Sequence, residues 1–581
     1  MADRNASVYS TSGRKKSVAE EPVTSVLKGG DIPVNDSGRE WTADEEVLAA
    51  LGYKPEFKRE FTLWTTFSVS FAVLGLLPSF ATTLYYGMGY AGTAGMTWGW
   101  LVAMIGIQSV AASMAELCSS MPTSGGLYYA SAVLAPPGWG PFAAWITGWS
   151  NWMGQVTGAP SVNYGTSAMI LASASISNPN YTPTNYQTFL LTVLLQLIHG
   201  CMASLPTRWI GRVNSAGTTF NILALIAVII IIPAACDRTA LNLELNLPKF
   251  TASSEVWGDI YQGTSYPAGV SVLMSFIGVI WTMSGYDSPF HLAEECSNAN
   301  IASPRAIFLT SATGGIFGWF LQLVVAYTVV DIPGQPRATF RSLPRPSATA
   351  EASLARPVDY DHCRLRDGTG LHDRGVTSHI RLRSRYWKHV NTVTHTPVNA
   401  VWFNNAVGCC LLLLIFGGNL AIGAIFSIGA LAAFVAFTTP IFIRVFFVGN
   451  RFRPGPWNLG KLSIPIGRIA SAFVALMVPI LCLPASTGDS LTLASMNWTC
   501  VVYGGPMTLI LIWWFVDARK WFKGPKINLD HLMLDREDQA AQLGGTIEGK
   551  DALGRSSSSD GDVPGEMPAG KQVGDMKPEG L

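Results

Sequence analysis

Gly269 to Ile307 read GVSVLMSFIGVIWTMSGYDSPFHLAEECSNANIASPRAI. An apolar helix is interrupted at SGYDSP and continues into acidic residues. Gly285 permits non-helical dihedrals and Pro289 removes a backbone donor, so the interruption is written into the chain itself. Asp287 puts an ionisable group at membrane depth. A carboxylate there is costly, and a substrate or ion site is the expected reason for it, with an interfacial acid at the end of a span as the alternative. Trp281 precedes it on the same helix. Beyond the break, Glu294 is expected to start a solvated cytoplasmic helix, and Glu295 to pair with Arg305 or another arginine at an inner gate.

The rest of the chain is written for a membrane. Of 581 residues, 13% are charged and 49% belong to the apolar set, and mean hydropathy is +0.28. That balance belongs to a polytopic membrane protein. A net charge of +1 gives no basic field, so nucleic acid is excluded as a partner. The nine cysteines show neither CxxC nor Cys/His metal spacing, so neither a metal nor another cofactor is expected. No His/Asp/Cys cluster shares a membrane depth, which argues against an enzyme.

Because a helix needs about 20 apolar residues to cross the hydrocarbon, the chain reads as about eleven spans. They lie near 62–86, 95–118, 139–172, 187–205, 217–235, 268–290, 306–331, 398–417, 420–447, 463–485 and 498–516. Residues 1–60 form a cytoplasmic tail with a short amphipathic helix, and 518–581 a polar cytoplasmic tail that cannot bury a core. Asn180 and Asn497 occupy N-x-S/T sequons, the first in a loop expected outside and the second beside a span. With the N-terminus inside, Arg208, Arg212 and Arg305 fall in the cytoplasm as the positive-inside rule asks. Arg444, Arg451, Arg453 and Lys461, and then Arg519, Lys520 and Lys523, fall outside. One more crossing between 331 and 398 would restore the parity.

Span one, TLWTTFSVSFAVLGLLPSFATTLYYG, has its own break at Gly75, Leu76, Leu77, Pro78 and Ser79. Backbone N–H and C=O groups freed there can hold a carboxylate and an ammonium, as broken helices of transporters do; a plain proline kink is the alternative. Breaks at equivalent places in spans one and six strengthen each other. Glu116, near the end of span two, either relays a proton or fixes a helix contact. Gly125 and Gly126 read as a tight turn after Pro122, since no GK[ST] follows.

Three stretches carry a resemblance. AELCSSMPTSGGLYY (115–129) resembles the signature of the amino acid–polyamine–organocation superfamily. SGYDSPFHLAEECSNANIASPRAI (284–307) resembles the sixth helix of its fungal amino acid/choline branch, and LGYKPEFKREFTLWTTFSVSFAVLGLLPSF (51–80) is similar to the start of fungal GABA permeases. The resemblance covers about 43–332 and 385–520. It implies an all-α polytopic fold of the five-plus-five inverted-repeat, LeuT-like type, nominally with twelve helices. It also implies proton-coupled uptake and a site between the breaks of helices one and six, at Gly75 to Ser79 and Ser284 to Ser288. Asp287 would then attract an amino group and the backbone of Gly75, Leu76, Pro78 and Ser79 would meet a carboxylate. Trp281, Ser284, Gly285 and Tyr286 would shape the pocket, in part by cation–π contact. Glu116 and Glu295 are candidates for coupling or gating. The substrate class is a small amino compound, GABA first and choline, another quaternary amine or a polyamine second. A non-transporting nutrient sensor is the alternative of another kind. The membrane expected is the plasma membrane, with the vacuolar membrane as alternative.

The helices before the anomaly occupy 61–332 and those after it 385–517, and the family's eighth helix is missing between them. In its place, 333–384 contains DYDHCRLRDGTGLHDRGVTSHIRLRSRYW, rich in arginine. Read one nucleotide later from Tyr360, synonymous codons permit MTIVAFAMGQGCMIAASR, an apolar string with the Ser-Arg ending that the family carries. Arginine CGN codons become GNN codons, which include Ala, Val and Gly. The segment is therefore read as a displaced reading frame, with a genuine extracellular insertion as the alternative.

Overall fold

The computed structural model describes residues 48, 59–178, 180–236, 249–258, 260–329, 398–417, 419–492 and 496–525. The segment 333–384, almost all of 1–60 and most of 518–581 lie outside them. Every regular element among the described residues is helical, apart from one isolated bridge between Phe61 and Cys296. Nine helical stretches there are long and apolar enough to cross a membrane by length and composition. Two further helices match the remaining expected spans. The helix Ala268–Thr282 is short because the break ends it. The helix Gly140–Ser177 has 38 residues, and it buries polar Asn151, Thr157, Ser161, Asn163 and Thr166. At 1.5 Å per residue it is about 57 Å long, so it must tilt through a hydrocarbon layer of about 30 Å.

In chain order the elements used below are α1 (Leu63–Leu74), α2 (Leu76–Ser120), α3 (Gly126–Leu134), α4 (Gly140–Ser177), α5 (Asn185–Ala203), α6 (Thr207–Ala234) and α7 (Ser253–Gly258). They continue as α8 (Ala268–Thr282), α9 (Ser288–His291), α10 (Ala299–Thr328), α11 (Val398–Leu412), α12 (Asn419–Ile443), α13 (Ser463–Ile480) and α14 (Thr499–Trp513). Large apolar side chains such as Leu190, Leu223, Ile230, Leu509 and Phe515 are exposed on α5, α6 and α14 and just beyond α14. They are the lipid-facing surface that a bundle without water on its flanks requires.

Both breaks form as the chain's chemistry dictates. Gly75 ends α1 with φ 50° and ψ 56°, the left-handed conformation that glycine adopts without a steric penalty, and its amide donates to Phe71 O. Pro78 then sits in the first turn of α2, where a missing N–H costs nothing. In span six, α8 stops at Thr282, Gly285 takes φ 105°, and Pro289 lies in the first turn of α9. The two breaks touch: Ser70 Oγ donates to Gly285 O at 3.3 Å. At the end of the bundle where α1 begins, the same spans are stitched by Phe61 N to Glu295 O (3.0 Å), Ser297 N to Phe61 O (2.9 Å) and Arg59 Nη1 to Cys296 O (2.8 Å).

The contacts fix which face each helix end occupies. The end of α2 meets the start of α10 (Ser119 Oγ to Asn300 O, 2.7 Å) and the loop after α12 (Trp457 N to Ser119 Oγ, 2.9 Å). The end of α10 meets the opposite face, where Tyr327 O accepts from Thr251 N and Tyr327 Oη from Trp257 Nε1. Val401, near the start of α11, packs on Ala203 and Ile210 at the end of α5 and the start of α6, on the first face. Phe416, beyond the end of α11, stacks on Tyr186 and Phe189 at the start of α5. The chain thus leaves α10 on one face and enters α11 on the other.

Several expectations shift in extent. Spans two and five begin earlier than expected, at Tyr86 and Arg208, because polar or glycine-rich residues there remain helical beyond the apolar run. Asn497 donates to Leu481 O and Leu483 O and accepts from Thr499 N, so it ties the start of α14 to the chain that follows α13.

A Cβ at Gly285 would lie 2.7 Å from Val73 Cγ1 and 3.1 Å from Leu74 N, in a backbone region that L side chains avoid. Gly285→Ala is expected to lower stability by about 1–3 kcal/mol, measured as a lower thermal transition of the detergent-solubilised protein. An unchanged transition would show that the two breaks do not pack as described.

Candidate functional site

The two breaks flank a cavity enclosed by α4, α5, α8, α11 and α12. Its lining includes Val73 from α1, Gln155 from α4, Gln196 from α5, Asn404 and Asn405 from α11, and Trp281, Ser284, Gly285 and Asp287 from span six. Its free volume is about 90 Å³, room for roughly six to nine waters or a small linear molecule. Trp281 forms one wall. It is buried, and a Cβ at Gly429 of α12 would lie 2.7 Å from its ring, so only glycine lets the indole lie against that helix. Ser284 Oγ donates to Trp281 O at 2.7 Å, which caps the end of α8.

Asp287 is the one charged residue among the described residues that line the cavity. Gln155 Nε2 approaches its Oδ2 at 3.5 Å, and His291 Nε2 stands 3.7 Å from the same oxygen, one turn on. Asn151, one turn from Gln155 on α4, places Nδ2 3.3 Å from His291 Nε2. Two residues at i, i+4 on α4 therefore face two at i, i+4 across the break. On its far side, His291 Nδ1 lies 3.5 Å from Ser124 O. Glu294 is buried, not solvated as expected. Its Oε1 accepts from Ser124 N at 2.9 Å and Ser124 Oγ at 2.6 Å, because the loop before α3 folds over the end of span six.

Of the residues singled out in the sequence, Trp281, Ser284, Gly285 and Asp287 come together at the cavity. Gly75, Leu76, Pro78 and Ser79 are within the bundle and reach it only through neighbouring Val73; Ser79 Oγ turns to Leu74 O. Tyr286 is buried against Phe437, ring centroids 5.5 Å apart, and its hydroxyl has no hydrogen-bond partner among the described residues. Glu295 is buried, and Arg305 is exposed. Glu116 lies away from the cavity, at a junction of α2, α12 and α13. Its Oε2 accepts from Ser463 Oγ and stands 3.8 Å from Arg444 Nη2. Arg444 also donates to Ser463 Oγ (2.7 Å) and Gly449 O (3.0 Å), and packs 4.4 Å from the Phe452 ring centroid. That geometry is a helix contact. Asn151 and Gln155 went unnoticed in the sequence; the available signal was a pair of amides at helical spacing inside a span.

Paired broken helices around a charged cavity within a lipid-facing bundle define a membrane transport protein. The comparisons make this specific. The family model described as amino acid permease matches residues 61–335 and 372–506. An uncharacterized amino-acid permease of Schizosaccharomyces pombe is 53% identical over 503 residues, covering 84% of this chain and 91% of the relative. A putative polyamine transporter of Candida albicans is 43% identical over 546 residues, covering 91% and 98%. The amino-acid permease BAT1 of Arabidopsis thaliana is 30% identical over 536 residues, covering 86% and 99%. The chain belongs to the amino acid permease family of the amino acid–polyamine–organocation superfamily, multi-pass membrane proteins of amino-acid transport.

Removing Glu116 would strand a buried guanidinium. Glu116→Ala is expected to cost about 3 kcal/mol or more, read as a lower thermal transition in detergent. The double substitution Glu116→Leu with Arg444→Met should recover most of it. Equal transitions for wild type and Glu116→Ala would contradict the junction.

Proposed function

We propose that the chain moves GABA or a related small amino compound across the plasma or vacuolar membrane by alternating access coupled to protons. The observation that carries this reading is the solitary carboxylate of Asp287 at a helix break, in a cavity otherwise lined by apolar groups and neutral amides. An ammonium binds Asp287 with Trp281 as an apolar and cation–π wall. Gln155, Gln196, Asn404 and Asn405 offer neutral donors for a carboxylate at the other end of the substrate.

A second reading, an amine without a carboxylate, has its own support. No arginine or lysine is among the described residues that line the cavity, and one relative is named as a putative polyamine transporter. Competition of labelled GABA by choline and by spermidine separates the two.

The family match stops at 335 and resumes at 372, while the helices on either side end and begin on opposite faces. A chain crosses lipid only as a helix or within a closed barrel. The unmatched stretch 336–371 supports the displaced-frame reading over that part of 333–384, in which a neighbouring frame encodes the eighth span; from 372 the printed frame matches the family. Sequencing genomic DNA and transcript over codons 334–384 tests it: an intact printed frame with no apolar helix in a neighbouring frame refutes it.

Uptake of labelled GABA and spermidine is compared in cells making the chain as written and the chain with the displaced frame restored. Uptake is expected from the restored chain alone. In that chain, Asp287→Asn should cut uptake about tenfold or more with unchanged membrane abundance. Normal uptake by this variant would remove Asp287 from the site.

A further inference from the structure

Asp287 has two possible cationic partners on opposite sides. On the cavity side it meets whatever amine enters. Behind it, within the protein, stands His291 Nε2 at 3.7 Å. Both side chains are nearly inaccessible, at 1% and 3% exposure, so neither charge is screened by bulk water.

The surroundings determine which nitrogen of His291 gains and loses a proton. Nδ1 faces Ser124 O, a carbonyl that only accepts, so Nδ1 carries hydrogen and donates. Nε2 faces Asn151 Nδ2, which only donates, and Asp287 Oδ2, which only accepts when ionised. An unprotonated Nε2 accepts from Asn151, and a protonated Nε2 is a cation beside the carboxylate. Both states have a partner in place.

Among the described residues, few other ionisable groups surround this pair. Helices α1, α3, α4, α8 and α12 carry no acidic or basic residue; α3 and α4 contribute tyrosines. The one such residue of α10, Arg305, is exposed. Tyr286 adjoins Asp287, and Glu294 and Glu295 follow His291. Glu294 is held by Ser124 and is opposed by Arg59.

On the reading of Asp287 as the amine site, we propose that substrate ammonium and the Nε2 proton of His291 compete for this one carboxylate, so that binding an amine expels a proton. A buried carboxylate compensates one cation well, and a second cation beside it has to share that charge. When the ammonium arrives, the Nε2–H bond of His291 breaks, the electron pair stays on nitrogen, and the proton leaves to a base of the surrounding buffer. Asn151 Nδ2 then donates to the vacated Nε2. His291 is a positioning and coupling residue that acts through Asp287.

The test uses the purified full chain in nanodiscs, with labelled GABA and spermidine as probes. Binding is measured at pH 5.5, 6.5 and 7.5, and by calorimetry in buffers of different ionisation enthalpy to count protons. The proposal expects affinity about tenfold higher at pH 7.5 than at pH 5.5, with proton release that approaches one per amine as the pH is lowered. In His291→Gln, whatever affinity remains should lose its pH slope and its proton release. Binding of either probe by the wild type without pH slope or proton release overturns the proposal and leaves the amine site standing. A pH slope that persists in His291→Gln also overturns it. Failure of the wild type to bind either probe at any pH overturns the amine reading and this inference together. If His291→Gln does not fold, the proton count of the wild type decides alone.

Discussion

The breaks of spans one and six exist because each covers the other. In lipid an interrupted helix has no water to satisfy its freed backbone groups, so the interruption must lie against protein or face a wet cavity. Here Ser70 donates to Gly285 O, and the backbone of Gly285 lies close against Val73 and Leu74. Only the absence of a side chain at 285 permits that approach. The position of Asp287 follows from it, since the left-handed turn at Gly285 and the short helix α9 aim the carboxylate at α4 and the cavity.

Most of the architecture could be read from the residues. Apolar runs gave the spans, and Gly75-Pro78 and Gly285-Pro289 gave the breaks, because glycine and proline act through local backbone geometry. The partners of Asp287 were not legible in that way. Asn151 and Gln155 are ordinary amides whose significance depends on which face α4 turns toward α9, and that is set by the close crossing of Gly154 against Ala433 on α12. Glu294 looked like a solvated acid for the same reason: only the folded loop before α3 brings Ser124 onto its carboxylate. Tertiary contacts between distant segments decide such roles, and local pattern does not carry them.

The topology joins two independent kinds of observation. Basic loops at 444–461 and 519–523 ask for a cytoplasmic location, and the hydrogen bonds of Ser119 and Glu116 to the loop after α12 place that loop at the end of α2. Packing thus puts the end of α12 on the face where α2 ends. The expected eighth helix lies outside the described residues, and on our reading the gene's neighbouring frame supplies it. The bundle that would receive such a helix is formed on both sides of it.

The central claim is that an amine sits between the two breaks on Asp287. A cryo-electron microscopy map of the protein saturated with spermidine or GABA tests it most directly. The account predicts density inside the cavity between Trp281 and Asp287, with an amino group within hydrogen-bond distance of Oδ1 or Oδ2. Ligand density elsewhere, with the cavity holding only water, would contradict it.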